Sequence, residues 1–509
     1  MSRYAAIDIG SNSIRMLAAE VNPAGEMITL AAERQVVRLG AGVFRDGRLS
    51  EPSMDAACSA LEAMVGKYRK LDLLAVRAVG TAALRDAGNQ PEFLARASTI
   101  LGTPVEIISG LEEARLVHLG VQSRWPHPEQ RILIVDVGGG SGEIILAEGG
   151  HIADSFSKPL GAVRLTELFL KSDPPDQREV ARMQNYIRER IAGPAARIGA
   201  SKIDRMIATS STAAAVVCAV NRVRRSKRDH ADRLAATGPQ IRRLYREVTE
   251  MSLADRRGIV GIGPRRAEII VAGVAVLHEF IENFRLPRLY YSTAGVREGI
   301  IADLANRQVG LAQARLDPDR RRVVQAVSRR YGISSPHTRK VAWLAVRIFE
   351  RLGSLHGLPP VHGQLLEAAA YLYNIGHFVD ESRHHKHSLY LVTNTDLAGF
   401  SEWERTVIAN LCRYHRKSMP QPAHVEFQAL DAEGRRAVVL LAPLLRIALA
   451  LDQSQDQRVE DLHVTTQDRT VEIYIRSPKD LDVEEWHAAQ VGPVFRESYG
   501  LPLVIRVEK

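Results

Sequence analysis

The sequence predicts an α/β protein in which two similar halves are followed by a mostly helical region. Two short segments, Asp8-Ile9-Gly10-Ser11-Asn12-Ser13 and Asp136-Val137-Gly138-Gly139-Gly140-Ser141-Gly142-Glu143, each follow one apolar run and precede another. This pattern predicts two β-hairpins with tight turns. From about residue 306 the pattern changes to long amphipathic helices, with late strands at 462–465 and 470–476. The chain of 509 residues is long enough for three or more domains.

Both predicted turns have the chemistry of a phosphate site. Glycine lets backbone N–H groups approach an anion closely, and the serine hydroxyls add donors. Asp8 and Asp136 cannot hold phosphate directly, so a divalent cation or a positioned water is expected between carboxylate and phosphate. One such turn is usually only a connection between strands. Its repetition indicates two similar halves that face one phosphate-bearing ligand.

The remaining elements define three predicted domains. The first, 1–128, continues after its hairpin with a strand at 27–33, a helix at 52–71 and a strand at 75–79, and it ends at the seam Trp125-Pro126-His127-Pro128. The second, 129–305, starts with the second hairpin and ends with a strand at 289–292 and a helix at 295–304. The third is the helical region 306–509.

Four further segments place polar groups at the ends of strands or the beginnings of helices. Gly80-Thr81-Ala82-Ala83-Leu84-Arg85 and Ala208-Thr209-Ser210-Ser211-Thr212 follow strands, at the edge where α/β proteins bind ligands. Ser109 is a predicted cap of a helix that begins with Glu112 and Glu113, an acidic pair that usually serves only the helix dipole. The segment 292–299 places Gly295 and Arg297 at a helix N-terminus, a ready anion site.

Positive charge is concentrated in the middle of the chain. The net charge is +9, yet residues 201–350 alone carry 28 Lys and Arg against 14 Asp and Glu. Solvated helix faces would explain any one cluster, whereas a groove for a phosphate polymer or a nucleic acid would explain all of them. Aromatic residues for base stacking are few here, which favours the phosphate polymer over nucleic acid. The candidate residues for a polyphosphate channel are Arg222, Arg224, Arg225, Lys227, Arg265 and Arg266.

Composition predicts a soluble protein in a reducing compartment. The longest apolar stretches, 269–277 and 438–445, are too short to span a bilayer, and the N-terminus has no basic-then-apolar leader. The cytoplasm is therefore the predicted location, with no membrane partner. Cys58, Cys218 and Cys412 lie far apart without a pairing motif and are assigned no role.

Taken in order, these motifs resemble the exopolyphosphatase and guanosine pentaphosphate phosphohydrolase family, part of the acetate kinase, sugar kinase, Hsp70 and actin superfamily. The resemblance covers the whole chain, and Glu112-Glu113-Ala114-Arg115 beside two phosphate loops is specific to this family. It implies two ribonuclease H-like domains around a cleft, followed by a helical region similar to HD-type phosphohydrolases.

The resemblance also implies roles for individual residues. Glu113 takes the position of the catalytic base, which would accept a proton from the attacking water. Asp136 and Glu143 would hold or orient Mg²⁺, with Asp8 assisting. K⁺ is a second candidate cofactor. The transferring phosphate would be bound and neutralised by residues of the loops and the adjoining segments: Gly10, Ser11, Asn12, Ser13, Arg85, Gly138, Gly139, Gly140, Ser141, Ser210, Ser211, Thr212, Gly295 and Arg297.

Two departures limit the resemblance. Ser211 stands where many relatives carry glycine, which leaves less room for a bound adenosine. Tyr373-Asn374 stands where an active HD domain has its His-Asp pair, and neither residue is a good transition-metal ligand. His384, His385, His387 and His415 invite a metal hypothesis, although structural histidines are favoured. The resemblance implies instead that this region builds part of the polyphosphate channel and a homodimer contact.

The leading functional prediction is Mg²⁺-dependent, processive hydrolysis of terminal orthophosphate from inorganic polyphosphate. The first alternative is hydrolysis of pppGpp to ppGpp by the same site. A second, from another class, is a non-hydrolytic sensor of polyphosphate or nucleotide, against which the retention of Glu113, Asp136 and Glu143 argues. A kinase on the same fold is a third, disfavoured by the segment at Ser210 and Ser211.

Overall fold

The structure is a computed structural model that describes residues 2–199, 201–310, 314–333, 336–467 and 469–508. The chain forms two compact units, Met1–Asn306 and Arg307–Lys509. The first unit contains two β-sheets, and the second is mostly helical with a small third sheet.

The first sheet has five strands in the order β3-β2-β1-β4-β5. β1 pairs antiparallel with β2, and β2 with β3, whereas β1, β4 and β5 run parallel. The predicted first hairpin is therefore confirmed. The elements are β1 (Ser2–Ile9), β2 (Ile14–Val21), β3 (Met27–Gln35), α1 (Val43–Asp46), α2 (Glu51–Tyr68), β4 (Ala75–Gly80), α3 (Ala82–Asp86), α4 (Gln90–Leu101), β5 (Val105–Ile107) and α5 (Gly110–Arg124).

The second sheet repeats this plan with one additional edge strand, in the order β10-β11-β9-β6-β7-β8. β6, β7 and β8 form an antiparallel meander, and β6, β9 and β11 run parallel. The elements are β6 (Arg131–Val137), β7 (Gly142–Glu148), β8 (His151–Lys158), α6 (Ala162–Phe169), α7 (Gln177–Ile198), β9 (Arg205–Thr209), α8 (Ser210–Val220), a 3₁₀ helix (Arg225–Ala231), β10 (Ala235–Thr237), α9 (Gly238–Glu250), α10 (Leu253–Arg257), α11 (Pro264–Ala267), α12 (Ile270–Asn283), β11 (Arg288–Tyr291) and α13 (Val296–Gly310). The repeated strand order confirms the predicted α/β class with two ribonuclease H-like halves.

The two sheets share one apolar core around α5 and α13. Buried side chains from the first sheet, such as Tyr4 and Leu17, pack in one cluster with Ile134 of β6, Val117 of α5 and Ile300 of α13. The two helices also meet backbone to backbone. A Cβ at position 299 would lie 1.8 Å from the Leu116 carbonyl oxygen, and one at position 120 would lie 2.1 Å from the carbonyl oxygen of residue 295. The crossing therefore requires Gly120 and Gly299.

Gly299→Ala is expected to destabilise the first unit by about 3 kcal/mol, because the added methyl group has no space against backbone atoms of α5. Gly66→Ala is the matched control. Gly66 lies within α2, and no atom lies within 4 Å of the position that its added methyl group would take, so this change should stabilise by about 0.5–1 kcal/mol. Urea midpoints of both variants test this, and equal midpoints for the two would contradict the close crossing.

The second unit buries its own apolar core, built from α15, α17, α19 and α21. The predicted late strands are confirmed, and β14 joins them in a sheet of order β12-β13-β14. Its elements are α14 (Pro318–Arg330), α15 (Pro336–Arg351), α16 (Gly353–His356), α17 (Val361–Leu372), a 3₁₀ helix (Ile375–Phe378), α18 (His384–Asn394), α19 (Glu402–Tyr414), α20 (Val425–Gln428), α21 (Ala432–Ala450), β12 (Asp461–Gln467), β13 (Thr470–Arg476), α22 (Asp482–Ala489), α23 (Gly492–Tyr499) and β14 (Leu503–Glu508).

Tyr373 packs its ring edge-on against His415, with the ring centroids 4.9 Å apart, and it belongs to a hydrogen-bonded chain. Its hydroxyl is 3.1 Å from His337 Nε2, and His337 Nδ1 is 2.7 Å from Asp452 Oδ2. His384 and His415 are buried, with their Nε2 atoms 3.3 Å apart. The absence of a metal from this region stays a prediction. No helix within the described ranges is long and apolar enough to cross a membrane.

Candidate active site

The two predicted phosphate loops close in the same way and face each other. The Gly10 N–H donates to the Ser13 carbonyl (3.3 Å), and the Gly138 N–H donates to the Ser141 carbonyl (3.0 Å). A Cβ at position 139 would lie 3.0 Å from Ser11 Cβ. Glycine at position 139 therefore lets the two loops approach each other closely. Residues of both loops line one cavity.

This first cavity is lined by most of the predicted site residues. Predicted residues on its wall are Asp8, Gly10, Ser11, Asn12, Ser13, Glu113, Asp136, Gly138, Gly139, Gly140, Ser141, Ser210, Ser211, Arg266, Gly295 and Arg297. Thr81, Thr209, Thr293 and Glu298 also line it; they lie in the segments singled out from the sequence but outside the predicted set of phosphate-binding residues. The other charged or hydroxyl-bearing residues on its wall are Arg15, Arg228 and Tyr291. The cavity therefore combines acids for a cation or a water with cations and amides for phosphate.

The two hairpins differ at one structurally equivalent position. In the first hairpin Asp8 pairs across the strands with Arg15, whereas in the second Asp136 pairs with Glu143. Cross-strand partners lie on the same face of a sheet, so Asp8 has a cation beside it and Asp136 has a second acid. The second hairpin is consequently the more acidic of the two.

Burial raises the pKa of four acids: Asp8, Glu113, Asp136 and Glu143. The pKa of Asp136 is raised to about 7 by burial and by repulsion from Glu113, with Arg15 opposing. Burial and repulsion from Glu113 and Asp136 raise the pKa of Glu143 well above its usual range. The pKa values of Asp8 and Glu113 are also raised, again mainly by burial. Four buried acids with raised pKa values in one group are typical of a functional site.

Glu113 is held at the start of α5. Ser109 caps this helix as predicted, because its hydroxyl accepts from the Glu112 N–H (3.0 Å). Arg85 Nη2 donates to Glu113 Oε2 (3.0 Å), and Arg85 Nη1 donates to the Ile108 carbonyl (2.6 Å). Arg85 is thus paired with the predicted base in this structure, and its role in phosphate binding stays a prediction.

Three other predicted residues have partners within the protein. Glu143 is fully buried, and its Oε1 accepts from Ser157 Oγ (2.9 Å). Thr212 Oγ1 donates to the Val137 carbonyl (2.9 Å). The Gly295 N–H donates to Glu298 Oε2 (2.9 Å), so this amide already has an acceptor at the start of α13.

A second cavity adjoins the first and is strongly cationic. Asn12, Ser211, Arg228 and Arg266 line both cavities. The arginines of the second cavity are Arg34, Arg225, Arg228, Arg265 and Arg266, and none of its described lining residues is acidic or aromatic. Burial and repulsion from neighbouring arginines lower the pKa of Arg34 to about 8 and that of Arg266 to about 9. A bound anion would relieve this repulsion.

The structure separates the six predicted channel residues into two groups. Arg225, Arg265 and Arg266 line the second cavity. Arg222, Arg224 and Lys227 are exposed and are not among the described residues that line either cavity. Arg15 lines the first cavity, Arg34 the second and Arg228 both, and none of the three is among the predicted site or channel residues. For Arg15 a signal existed, because the predicted hairpin pairs it with Asp8.

Several contacts hold the two halves together around the cavity. Arg164 of α6 donates to the Gly140 carbonyl and to Asp86 Oδ2, each at 2.6 Å, and stacks on Phe44. Glu167 Oε1 accepts from the Gly42 N–H (2.9 Å). These contacts bring the second half of the unit against the first.

The fold and the cavity together define an α/β protein in which paired hairpin loops and an acid cluster line one cavity, a class that includes enzymes of phosphoryl transfer. The comparison with known families makes this specific. The sequence model of the Ppx/GppA phosphatase family matches residues 18–308, and that of Ppx/GppA phosphatase, domain III, matches residues 320–487. The chain belongs to the Ppx/GppA phosphatase family, which confirms the predicted resemblance.

Solved structures agree with this assignment. The Ppx/GppA family member from Aquifex aeolicus is 28% identical with a TM-score of 0.52, and the match covers 60% of this chain and 98% of that chain. An exopolyphosphatase-like protein is 26% identical with a TM-score of 0.57 over 60% of this chain and 99% of its own. An exopolyphosphatase from Cytophaga hutchinsonii is 24% identical, with a TM-score of 0.56 over 60% and 98% of the two chains, and shares the fold.

Proposed function

We propose that this protein is an exopolyphosphatase that removes orthophosphate from the end of inorganic polyphosphate with Mg²⁺, and that Glu113 is the general base. One observation carries the proposal: the cavity of the phosphate loops continues into a cavity lined by five arginines, whose described walls contain no acid and no aromatic ring. A linear polyanion fits this arrangement, because each successive phosphate meets another cation. A nucleobase would find no ring on which to stack among the described lining residues of this second cavity.

The reaction needs only water as the acceptor. Glu113 accepts a proton from the water whose oxygen attacks the terminal phosphorus, and the bridging P–O bond breaks to leave a chain shorter by one phosphate. Amide groups of the two loops, together with Arg15 and Arg297, offset the negative charge on the transferring group. The second cavity holds the following phosphates in place for the next cycle.

The acids of the second hairpin fit a magnesium ion. Asp136 Oδ1 and Glu143 Oε2 are buried and have no hydrogen-bond partner. Among the described residues no three His, Cys, Asp or Glu side chains form a group that could hold a metal alone. This suits Mg²⁺, which usually binds one or two carboxylates and takes its other ligands from water and substrate phosphates. When bound, the ion would neutralise charge on the phosphates; K⁺ stays a second candidate.

Stability should depend on pH and Mg²⁺ together. The folded-state pKa of Asp136 is raised from 3.8 to about 7. The contribution of its protonated carboxyl group to the free energy of unfolding is therefore complete below about pH 4 and is lost as pH rises through 7. The melting temperature without Mg²⁺ is expected to fall by roughly 5 °C between pH 5.5 and 8. Mg²⁺ binds the ionised carboxylates, so it should raise the melting temperature more at pH 8 than at pH 5.5.

Asp136→Asn is the control for this prediction. This substitution removes a carboxyl group whose pKa is raised and which is one of the two proposed Mg²⁺ ligands. The melting temperature should therefore depend less on pH and respond less to Mg²⁺. Thermal scans of parent and variant at the two pH values, with and without Mg²⁺, provide the measurement. A parent protein whose response to Mg²⁺ is the same at pH 5.5 and pH 8 would contradict the metal assignment.

Hydrolysis of pppGpp is the competing function, since the first cavity could take the 5′-phosphates of a nucleotide. Release of orthophosphate from long-chain polyphosphate and from pppGpp, measured in parallel with Mg²⁺, distinguishes the two. Faster release from polyphosphate, lost on Glu113→Gln, is the expected result. Faster release from pppGpp would reassign the substrate, and no release from either would overturn the proposal in favour of a sensor.

A further inference from the structure

The two other charged residues of the Glu112-Glu113-Ala114-Arg115 segment, Glu112 and Arg115, do not face the cavity. Glu112 and Arg115 are buried, at 7% exposure each, and are not among its described lining residues. Both belong to an ion network that also contains Arg77 of β4 and Asp303 of α13. The network therefore connects β4, α5 and α13 through the residue that precedes Glu113 in the chain.

The geometry of this network is that of strong, paired hydrogen bonds. Arg115 Nε and Nη2 donate to the two oxygens of Glu112, both at 2.8 Å, and Nη2 also donates to Asp303 Oδ1 (2.8 Å). Arg77 Nη1 donates to Asp303 Oδ2 (2.9 Å). Asp303 thus bridges two arginines from different elements with its two oxygens. Such planar, bidentate contacts restrict orientation more than a single ion pair does.

The network and the glycine crossing restrain the same two helices. α5 carries Glu113 in its first turn, and α13 carries Arg297 and Glu298 in its first turn; all three residues line the cavity. Contacts at Gly120 and Gly299 prevent the helices from approaching further, and Asp303 ties α13 to Arg115 of α5. Displacement of α13 relative to α5 would therefore break these hydrogen bonds.

The pKa values of the adjacent residues Glu112 and Glu113 are shifted in opposite directions. Burial raises the pKa of Glu112, but the ion pairs with Arg115 and Arg77 outweigh burial and hold its pKa below the usual value. Glu113, by contrast, has a raised pKa. Glu112 is thus paired with Arg77 and Arg115, and Glu113 is the acid of the two that faces the cavity.

We infer that Glu112, Arg115, Arg77 and Asp303 are positioning residues that fix the carboxylate of Glu113 against the phosphate loops. This inference rests on the proposed role of Glu113 as the base. Buried ion networks stabilise a fold little compared with apolar side chains of similar size, which leaves a role in orientation as the better explanation of this one. An error of about 1 Å in the position of a base is enough to lower turnover strongly.

The test removes the contacts that join α5 to α13 and keeps the remaining charges paired, because Arg77 still contacts Glu112 (3.4 Å) and Glu106 (2.9 Å). Arg115→Met combined with Asp303→Leu deletes one charge of each sign, and Asp303→Asn alone keeps the shape of the side chain. With tripolyphosphate as substrate, both variants are expected to lower kcat at least tenfold while KM changes less than threefold. The matched control is Arg320→Met with Glu404→Leu, an ion pair in the second unit with a separation of 2.6 Å and similar burial. Its kcat should stay within twofold of the parent.

The melting temperature of each variant shows whether it folds, and Asp303→Asn decides the question if the double variant does not. A folded variant with parental kcat would overturn this inference alone. Equal losses of kcat in the test and control pairs would also overturn it, because they would indicate general damage. A parent protein that releases no phosphate would overturn the proposed function, and this inference with it.

Discussion

Replacement of Glu113 by glutamine is expected to lower kcat for orthophosphate release about 10³-fold, because the amide cannot accept a proton from the attacking water. The change keeps the shape of the side chain and adds no charge to the cavity, so binding of polyphosphate should stay within a few fold of the parent. Single-turnover rates and binding isotherms for the same variant separate the two effects.

Glu92→Gln is the matched control for this variant. Glu92 lies exposed in the first turn of α4, so its replacement should change neither turnover nor binding. The raised pKa of Glu113 adds a second expectation: kcat/KM of the parent should fall as pH drops below that raised value, since the base becomes protonated. Normal turnover of Glu113→Gln would show that another group accepts the proton.

The second large effect is expected from the cationic cavity. Arg225 and Arg265 line the second cavity but not the first, so the double variant Arg225→Ala/Arg265→Ala should weaken binding of long chains by roughly 10- to 100-fold. Tripolyphosphate should be hydrolysed as before, because it needs only the first cavity. The salt dependence of long-chain binding should also become shallower, by about one unit of log–log slope per arginine removed.

Arg222→Ala/Arg224→Ala is the control with the same loss of charge. These arginines are exposed, and the structure places neither on the described walls of the two cavities. Their removal should reduce long-chain affinity only slightly, through the general positive field. If this pair weakened long-chain binding as much as the pair at 225 and 265, the polymer would follow a different path across the basic region.

The positions of the two loops and their acids could be predicted because they depend on local chemistry. Apolar runs on both sides of Gly10 and of Gly138–Gly140 indicate hairpin turns without knowledge of any distant contact. The cap at Ser109 is equally local and is confirmed. Strands β5, β8, β10 and β14 lie outside the sequence predictions. β10 is an edge strand of only three residues, which is too short for a clear alternation of apolar and polar positions.

The sequence by itself determined the α/β class and the two repeated hairpin loops beside Asp8, Asp136 and Glu143, because each depends on residues that are close along the chain. Glu113 was singled out only by the family resemblance. The tertiary structure alone decided which cations line the two cavities. Arg34 and Arg265 line one cavity although they lie far apart along the chain, whereas Arg222 and Arg224, close neighbours of Arg225, do not. A run of charges shows that a segment is basic, but the path of the chain decides which side chains converge. The same reason explains Asp303, which reaches Arg77 and Arg115 only because α13 returns to pack against α5.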